Sequence, residues 1–216
     1  MSLARGVERR LERLVDGLAA TLFRGRIHPV EVGTRIIREA DLATFTTPAG
    51  PGVPNCFRVT MGGGPEPPDT VAAAEGELEA AFAEAAAERG WRLEGPPRVT
   101  IGFGGRSPAS VAVECSVEAG DSDPYAALKG PGGRVHLISA NRSVVGRGGG
   151  ADVALTAEDV SRRHALVWRE AGRLWVEDLG SSNGTLVNGV TVTEPVELED
   201  GDRIALGGTT FEFWVL

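Results

Sequence analysis

The feature that most constrains this chain is the regular spacing of turn-forming dipeptides through residues 134–216. Short hydrophobic segments alternate there with glycine-containing pairs, which suit the tight turns between paired strands. The pairs are Ala171-Gly172, Asn183-Gly184, Asn188-Gly189, Asp200-Gly201 and Gly207-Gly208. Many short strands at such intervals are typical of an antiparallel β-sandwich. The sequence therefore predicts an all-β domain for this part of the chain.

Residues 1–118 show a different pattern, in which helical and strand periods alternate. Apolar residues recur every three or four positions from about residue 4 to residue 24, which predicts a first helix. Pro29 suits the first turn of a second helix, and Asp69 is placed to cap a third, alanine-rich helix that runs to Glu88. Strands are predicted at 56–61, 98–101 and 111–117, the last two as a hairpin. This half is predicted to be an α/β domain whose helices cover a small sheet.

Glycine, proline and aspartate are concentrated between the two halves. Residues 119–133 contain Asp123-Pro124 and Gly130-Pro131-Gly132-Gly133, a composition typical of linkers. The predicted organisation is an N-terminal α/β domain over 1–118, a linker over 119–133 and a β-sandwich over 134–216.

Charge and cysteine content narrow the possible functions. The formal net charge of −8 argues against a nucleic-acid-binding protein, so any anion must be held by a local cationic cluster. Cys56 and Cys115 match no zinc spacing and predict free thiols in a reducing cytoplasm. No run approaches the ~20 apolar residues of a membrane span, so no direct insertion is expected. The apolar stripe of the first helix has a second interpretation, as a membrane-surface helix.

Three predicted loops carry the candidate site. One contains Gly146 and Arg147, a second runs from Ser161 to His164, and a third covers 180–185. Together they provide arginine side chains, hydroxyls, an amide and glycine backbone. Arginine binds phosphate through charge-assisted hydrogen bonds, and hydroxyl and backbone N–H groups complete the contacts to its oxygens. This set suits a phosphorylated side chain, which carries about −1.5 to −2 charge.

Other interpretations of these loops are weaker. Each residue taken singly is a common turn former. Ser161 and His164 could form a hydrolase dyad, but no nucleophile elbow is present. The glycines at 148–150 lack the Gly-Lys-Ser/Thr ending of a nucleotide-binding loop. Neither an enzyme, nor a metal site, nor a cofactor is expected.

In their order along the chain, these motifs resemble the forkhead-associated (FHA) family. The motifs are Gly-Arg at 146–147, Ser-x-x-His at 161–164, Ser-Ser-Asn-Gly-Thr at 181–185 and Asn-Gly at 188–189. The resemblance implies a phosphothreonine-peptide receptor without catalysis. It makes Arg147 and Ser161 direct phosphate ligands, with Arg162 flanking the phosphate. It places the Ser182 hydroxyl near the phosphothreonine, at a position where the family often has threonine. It also implies that Asn183 holds the backbone of the bound peptide. Gly146, His164 and Gly184 support the site.

The first half is similar to the N-terminal domain of actinobacterial FhaA-type proteins. The similarity rests on residues 9–18, Phe23-Arg24-Gly25, Pro29-Val30-Glu31-Val32, Val53-Pro54-Asn55 and Gly90-Trp91. Lys129 is the single lysine, and this bias toward arginine agrees with a high-GC genome. The resemblance implies a cytoplasmic adaptor in Ser/Thr kinase signalling, linked to cell-envelope synthesis or division. Its partner would be a threonine-phosphorylated protein, either a kinase or a kinase substrate, able to recruit the adaptor to the membrane.

Two alternatives stay open at this point. Thr44, Thr46 and Thr47 lie in a predicted loop, and one of them, once phosphorylated, could occupy the pocket of its own chain and close it. The N-terminal domain could also be a scaffold that binds another protein or nucleic acid, although its mixed charge argues against RNA.

Overall fold

A computed structural model describes residues 20–23, 28–105, 107 and 110–216 of the chain. The first helix predicted from the apolar stripe lies outside the described residues, except for a helical turn at Ala20–Phe23, named α1. The chain divides into two compact units. The first comprises residues up to Thr46 together with Pro51–Gly120, and the second comprises Thr47–Gly50 and Asp121–Leu216.

Two longer helices form one layer of the first unit. Helix α2 spans Pro29–Leu42, and the His28 side chain accepts a hydrogen bond from the Val30 N–H at its start. Helix α3 spans Pro68–Glu88. The predicted cap at Asp69 is wrong, because Pro67 occupies the cap position and Asp69 lies in the first turn. Its carboxylate there still favours the helix through the dipole.

The sheet of the first unit has three strands in the order β4-β3-β5. Their bounds are Cys56–Gly62 for β3, Arg98–Gly105 for β4 and Val111–Ser116 for β5. The predicted hairpin between the last two strands is wrong. Strand β3 lies between them and pairs in parallel with β4 and antiparallel with β5. The long helix α3 provides the crossover that a parallel β3-β4 pair requires.

Helices α2 and α3 cover one face of this sheet. Phe57 on β3 and Phe82 on α3 are buried, with their ring centroids 4.6 Å apart. Glu75 and Glu79 of α3 accept hydrogen bonds from the outward N–H groups of Ile101 and Val99, at 2.7 and 2.9 Å. Helix α3 therefore covers the free edge of strand β4 and accepts hydrogen bonds from its outward N–H groups. The α/β prediction is confirmed.

A short hairpin connects α2 to β3. It consists of β1, Phe45–Thr47, and β2, Gly50–Gly52. Its tip, Thr47–Gly50, belongs to the second unit.

The second unit contains two sheets in which most strand pairs are antiparallel, as the spacing of the turns predicts. The five-stranded sheet has the order β14-β11-β10-β8-β9. Its strands are β8 Arg142–Gly146, β9 Val153–Ala154, β10 Ala165–Glu170, β11 Arg173–Asp178 and β14 Val196–Leu198. The six-stranded sheet has the order β13-β12-β15-β16-β6-β7. Its strands are β6 Ala126–Lys129, β7 Val135–Ile138, β12 Thr185–Val187, β13 Val190–Thr191, β15 Arg203–Leu206 and β16 Thr209–Val215.

Part of the predicted linker forms a strand, β6. It pairs with β16 on one side and β7 on the other, and Ala126 and Leu128 are buried. The flexible-linker prediction for 119–133 is therefore wrong over 126–129. Residues 119–125 and the turn at Pro131–Gly133 that follows β6 retain the predicted irregular character.

Side chains from both sheets form the core of the sandwich. Phe213 of β16, Ile138 of β7 and Val176 of β11 belong to one buried cluster. Such a core holds the strands rigid and leaves the loops at the ends free to carry a binding site. Among the described residues, no helix is long and apolar enough to cross a membrane.

Candidate functional site

Three loops meet at one end of the sandwich. They connect β8 to β9, β9 to β10, and β11 to β12, and they contain the three motifs singled out in the sequence. The Arg147 N–H donates to the Ser161 carbonyl oxygen at 2.9 Å, which joins the first loop to the second. The Ser182 N–H donates to Ser161 Oγ at 3.0 Å, which joins the second loop to the third. The structure thus brings Arg147, Ser161 and Ser182 together.

Gly146 permits the close approach of the first two loops. A Cβ atom at this position would lie 2.2 Å from the carbonyl oxygen of Arg162 and 2.9 Å from that of Ser161. Both atoms belong to backbone, so they cannot turn away as a flexible side chain would. The role of Gly146 is to provide space for the 161–162 backbone.

Two hydroxyl groups lie side by side at the junction of the second and third loops. Ser161 Oγ is 3.5 Å from Ser182 Oγ, a long hydrogen bond. Ser182 is exposed and Ser161 is half-buried. Both hydroxyls can reorient toward an incoming oxyanion, because each is both a donor and an acceptor.

Two arginines border these hydroxyls. Arg147 and Arg162 are exposed, and within 28–105 and 110–216 neither guanidinium forms an ion pair with a carboxylate. Arg163 differs, because its guanidinium donates to the Pro48 carbonyl oxygen at 2.8 Å within the second unit. Both guanidinium groups therefore carry a positive charge with no carboxylate of the described residues at ion-pair distance, in a chain whose net charge is −8. Such a cluster is suited to an external anion.

His164 is buried beneath the loops. Its Nδ1 accepts a hydrogen bond from the Ser161 N–H at 3.1 Å, so the neutral ring carries its proton on Nε2. That nitrogen is 3.0 Å from the Gly184 carbonyl oxygen, to which it donates. One imidazole thus joins the second loop to the third. Neither nitrogen is free to act as a base toward the Ser161 hydroxyl, so the geometry does not support the hydrolase dyad.

Asp178 organises the third loop, a role that sequence reasoning missed. Its carboxylate accepts hydrogen bonds from the Ser181 N–H at 2.8 Å, the Ser181 hydroxyl at 2.6 Å and the buried Thr185 hydroxyl at 2.7 Å. Burial alone would raise the pKa of Asp178, but these hydrogen bonds together outweigh it and lower the pKa. The signal in the sequence was an aspartate three residues before a serine in a glycine-containing turn.

Asn183 and Asp159 connect the third loop to the second. Asn183 Nδ2 donates to the Asp159 carbonyl oxygen at 2.8 Å. The Asp159 carboxylate is directed elsewhere, toward the Thr209 hydroxyl at 3.0 Å and the Gly208 N–H. The Thr209 hydrogen bond is the main cause of the lowered pKa of Asp159. These partners of the Asp159 carboxylate were not predicted, since they lie about fifty positions away in the chain.

The five predicted binding residues therefore lie in three loops that contact one another. Of the supporting residues, His164 is buried beneath the loops, Gly146 ends β8, and Gly184 lies in the third loop. Gly184 has a φ of 77°, which suits glycine. No group of His, Cys, Asp or Glu side chains in the described part of the chain is placed to hold a metal ion.

Family models match parts of both halves of the chain. Residues 143–207 match the family model described as "FHA domain". Residues 5–103 match the model described as "FhaA, N-terminal domain".

Two curated relatives match the chain in part. The chain is 39% identical over 75 residues to the FHA domain-containing protein FhaA of Mycobacterium tuberculosis, which is 35% of this chain and 14% of FhaA. It is 34% identical over 107 residues to the glycogen accumulation regulator GarA of Mycolicibacterium smegmatis, which is 47% of this chain and 67% of GarA. The chain thus spans a small part of FhaA and two thirds of GarA.

One solved structure illustrates the structural matches. It comes from work titled "Structural and functional analysis of phosphothreonine-dependent FHA domain interactions". The match has 31% sequence identity and a TM-score of 0.40, and it covers 43% of this chain and 97% of that one.

Proposed function

We propose, on the premise that this chain belongs to the forkhead-associated (FHA) domain family, that its second unit is a receptor for threonine-phosphorylated peptides. The chain would act as a non-enzymatic adaptor in Ser/Thr kinase signalling. Arg147 and Ser161 would bind the phosphate, Arg162 would flank it, and the Ser182 hydroxyl would lie near the phosphothreonine. Asn183 would hold the peptide backbone.

The observation that carries the proposal is the uncompensated charge beside paired hydroxyls. Arg147 and Arg162 have no carboxylate partner in the described part of the chain, and Ser161 and Ser182 lie next to each other. A phosphate dianion would receive charge-assisted hydrogen bonds from the guanidinium and neutral ones from the hydroxyls. An unphosphorylated threonine would receive neither charge compensation nor enough contacts to bind.

Discrimination between phosphothreonine and phosphoserine would come from one methyl group. Burying it would contribute about 0.8 kcal/mol, which is about fourfold in affinity. The phosphate acts as the switch, and the methyl group adds a smaller preference.

The direct test is calorimetry on the full chain with a phosphothreonine peptide and its unphosphorylated counterpart. We expect Arg147→Ala to reduce phosphopeptide affinity by about 2–5 kcal/mol, because the dianion loses its main charge partner. Arg203→Ala is a matched control, since Arg203 is exposed and lies on β15, outside the three loops. Equal affinity of the wild-type chain and Arg147→Ala would overturn the assignment.

The biological setting is a further part of the proposal. Residues 5–103 match the FhaA N-terminal domain model. On the resemblance to FhaA-type proteins, the chain would act in signalling linked to cell-envelope synthesis or division. The partner would be a threonine-phosphorylated kinase or kinase substrate that brings a cytoplasmic adaptor to the membrane. Capture of a partner from lysate by the wild-type chain, and its loss after phosphatase treatment or in Arg147→Ala, is the experiment that tests this setting.

The self-closing switch is the alternative function. The Thr47 hydroxyl donates to the Gly50 carbonyl oxygen at 2.6 Å, and the Thr44 hydroxyl donates to the Asp41 carbonyl oxygen at 2.7 Å. Phosphorylation would remove the hydrogen of either bond, so these contacts do not separate the switch from the adaptor. Calorimetry on the kinase-treated chain separates them, because a threonine bound in cis would block the added phosphopeptide.

A further inference from the structure

Strand β7 forms one edge of the six-stranded sheet. The sheet edges of the second unit are β7, β9, β13 and β14, and β7 is the longest of these strands, with four residues. Natural edge strands commonly carry lysine or proline, which prevents pairing with a strand of another chain. The sequence of β7, Val-His-Leu-Ile, contains neither. This edge therefore lacks a usual protection against a further strand.

The unpaired backbone groups of β7 follow from its pairing with β6. The Gly130 N–H donates to the Arg134 carbonyl oxygen at 2.8 Å, and the same antiparallel register continues through β7. In such a ladder, the backbone groups of successive residues point alternately toward and away from the partner strand. The N–H and C=O groups of Val135 and Leu137 therefore point away from β6. Within 28–105 and 110–216, no second strand pairs with β7 to bind these groups.

The same two residues carry apolar side chains on the outer face of the sheet. Val135 and Leu137 are 45% and 54% exposed, whereas Ile138 of the same strand is buried in the core. Leu137 lies opposite Ala127 of β6, and Ala127 lies opposite Trp214 of β16. Directly opposed residues share one face of a sheet. An apolar row thus crosses three strands and ends at the free edge.

The charged groups near this edge leave little net charge to repel a second copy. Lys129, opposite Val135, lies 3.7 Å from the Glu212 carboxylate, so its charge is balanced within the sheet. Burial, and then the nearby Arg134 guanidinium, lower the pKa of His136 below its ordinary value. The imidazole at the centre of β7 is therefore uncharged near neutral pH.

The edge is complementary to itself. When two β7 strands pair antiparallel about a two-fold axis at His136, Val135 of each copy lies opposite Leu137 of the other. Each such pair exchanges N–H···O hydrogen bonds in both directions, because both residues have outward groups. The exposed apolar side chains of each pair also become neighbours. The two Arg134 residues lie about 14 Å apart along the strands, beyond the Debye length of about 8 Å at physiological ionic strength.

We infer that β7 is a dimerisation edge, at which two copies of the chain join their six-stranded sheets through antiparallel β7 strands. A second copy fits better than an unrelated strand, because one symmetric register satisfies the outward backbone groups and the apolar side chains of both copies. The inference goes beyond the proposed function, since dimerisation requires no phosphate. Taken with that function, the dimer would carry two phosphate sites at opposite ends and would join two phosphorylated partners.

Sedimentation equilibrium of the full chain over a range of concentrations tests the inference. One short strand from each copy gives a small interface, so we expect a weak dimer with a Kd on the order of 10–100 µM. The mass should rise from that of one chain toward that of two as the concentration passes through this range.

Two variants locate the interface. Val135→Pro removes an outward N–H from each copy and should weaken the dimer by about tenfold. The fold tolerates this proline, because the Val135 N–H points away from β6 and Arg134 already has the extended ψ of 130° that precedes proline. Leu137→Lys replaces an apolar contact by a charge and should weaken the dimer by at least as much.

Val190→Lys is the matched control. Val190 is 71% exposed and lies on β13, at the opposite edge of the same sheet, so this variant makes a similar change of charge and apolar surface away from β7. It should dimerise like the wild type. Thermal unfolding of each variant checks its fold, and if one of the two β7 variants is unfolded, the other decides.

Three results would overturn the inference. The first is the mass of a single chain at all concentrations, or a mass that rises beyond two chains, because each copy has one β7 edge. The second is an unchanged dimer in the folded β7 variants. The third is equal weakening in Val190→Lys. Since no phosphopeptide is used, none of these results bears on the proposed function.

Discussion

At the scale of single residues, the site depends on groups that hold loops together beneath its surface. His164 joins Ser161 to Gly184, and Asp178 holds Ser181 and Thr185. These contacts fix the backbone of the second and third loops before any ligand arrives. The conformational entropy of these loops is therefore lost on folding and not on binding. Less of the interaction free energy is then offset when a ligand binds.

Gly146→Ala should abolish phosphopeptide binding. The added methyl group would require the 161–162 backbone to move, and that movement would displace Ser161 from Arg147 and Ser182. Calorimetry with a phosphothreonine peptide measures the effect. Gly149→Ala is the matched control in the same loop, because a Cβ atom there meets nothing within 4 Å. Full affinity of Gly146→Ala would contradict the packing argument.

Asp178→Asn should destabilise the second unit by about 1–3 kcal/mol, since the buried Thr185 hydroxyl and the Ser181 groups lose charged acceptors. The pKa of Asp178 is lowered in the folded state, so its stabilising contribution is complete above its ordinary pKa of about 3.9 and is lost as the pH falls through the folded value. Thermal unfolding should therefore show a difference between wild type and variant at pH 7 that narrows below about pH 4. A difference independent of pH would contradict this role.

At the scale of elements, β6 decides where the second unit begins. It lies between β16 and β7, so its removal separates β7 from the sheet and exposes the edge of β16. The side chains of Ala126 and Leu128 would also leave the core. A boundary at residue 134, as the composition suggests, therefore falls inside the folded unit.

A fragment of residues 134–216 should accordingly fail to fold, whereas a fragment of residues 121–216 should unfold cooperatively on heating. Circular dichroism during a thermal scan distinguishes the two outcomes. If the shorter fragment shows a cooperative transition and binds phosphopeptide, then β6 is dispensable and the corrected boundary is wrong.

At the scale of the whole molecule, each unit has its own hydrophobic core. Phe82 belongs to the core of the first unit and Phe213 to the core of the second. Two separate cores would allow the proposed phosphopeptide receptor to function without stability from the α/β unit. That arrangement suits an adaptor, in which one part binds a phosphorylated partner while the other remains available.

Phe82→Ala should destabilise the first unit by about 3–5 kcal/mol through loss of a buried ring, without changing phosphopeptide affinity. Phe213→Ala is the comparison in the second unit, and it should reduce both stability and binding. Thermal unfolding and calorimetry on the same samples measure the two effects. A parallel loss of affinity in Phe82→Ala would show that the receptor depends on the first unit.

The sequence by itself determined the class of each half and the loops that form the candidate site. Turn pairs such as Asn183-Gly184, and the alternating strands between them, are local sequence patterns. Such patterns can be interpreted without knowing the tertiary structure. The order of the motifs from Gly146 to Thr185 likewise identified the three loops that lie together in the structure. The helical period of residues 29–42 and the strand at Cys56 were equally readable.

Only the tertiary structure decided which strands pair and which polar groups hold the loops. Strand β3 lies between β4 and β5, and β6 lies in a sheet with β16, although about eighty residues separate them. Asp159 bonds to Gly208 across about fifty residues. Such pairings depend on which distant segments bury a common face, and periodicity within one segment carries no information about its partner.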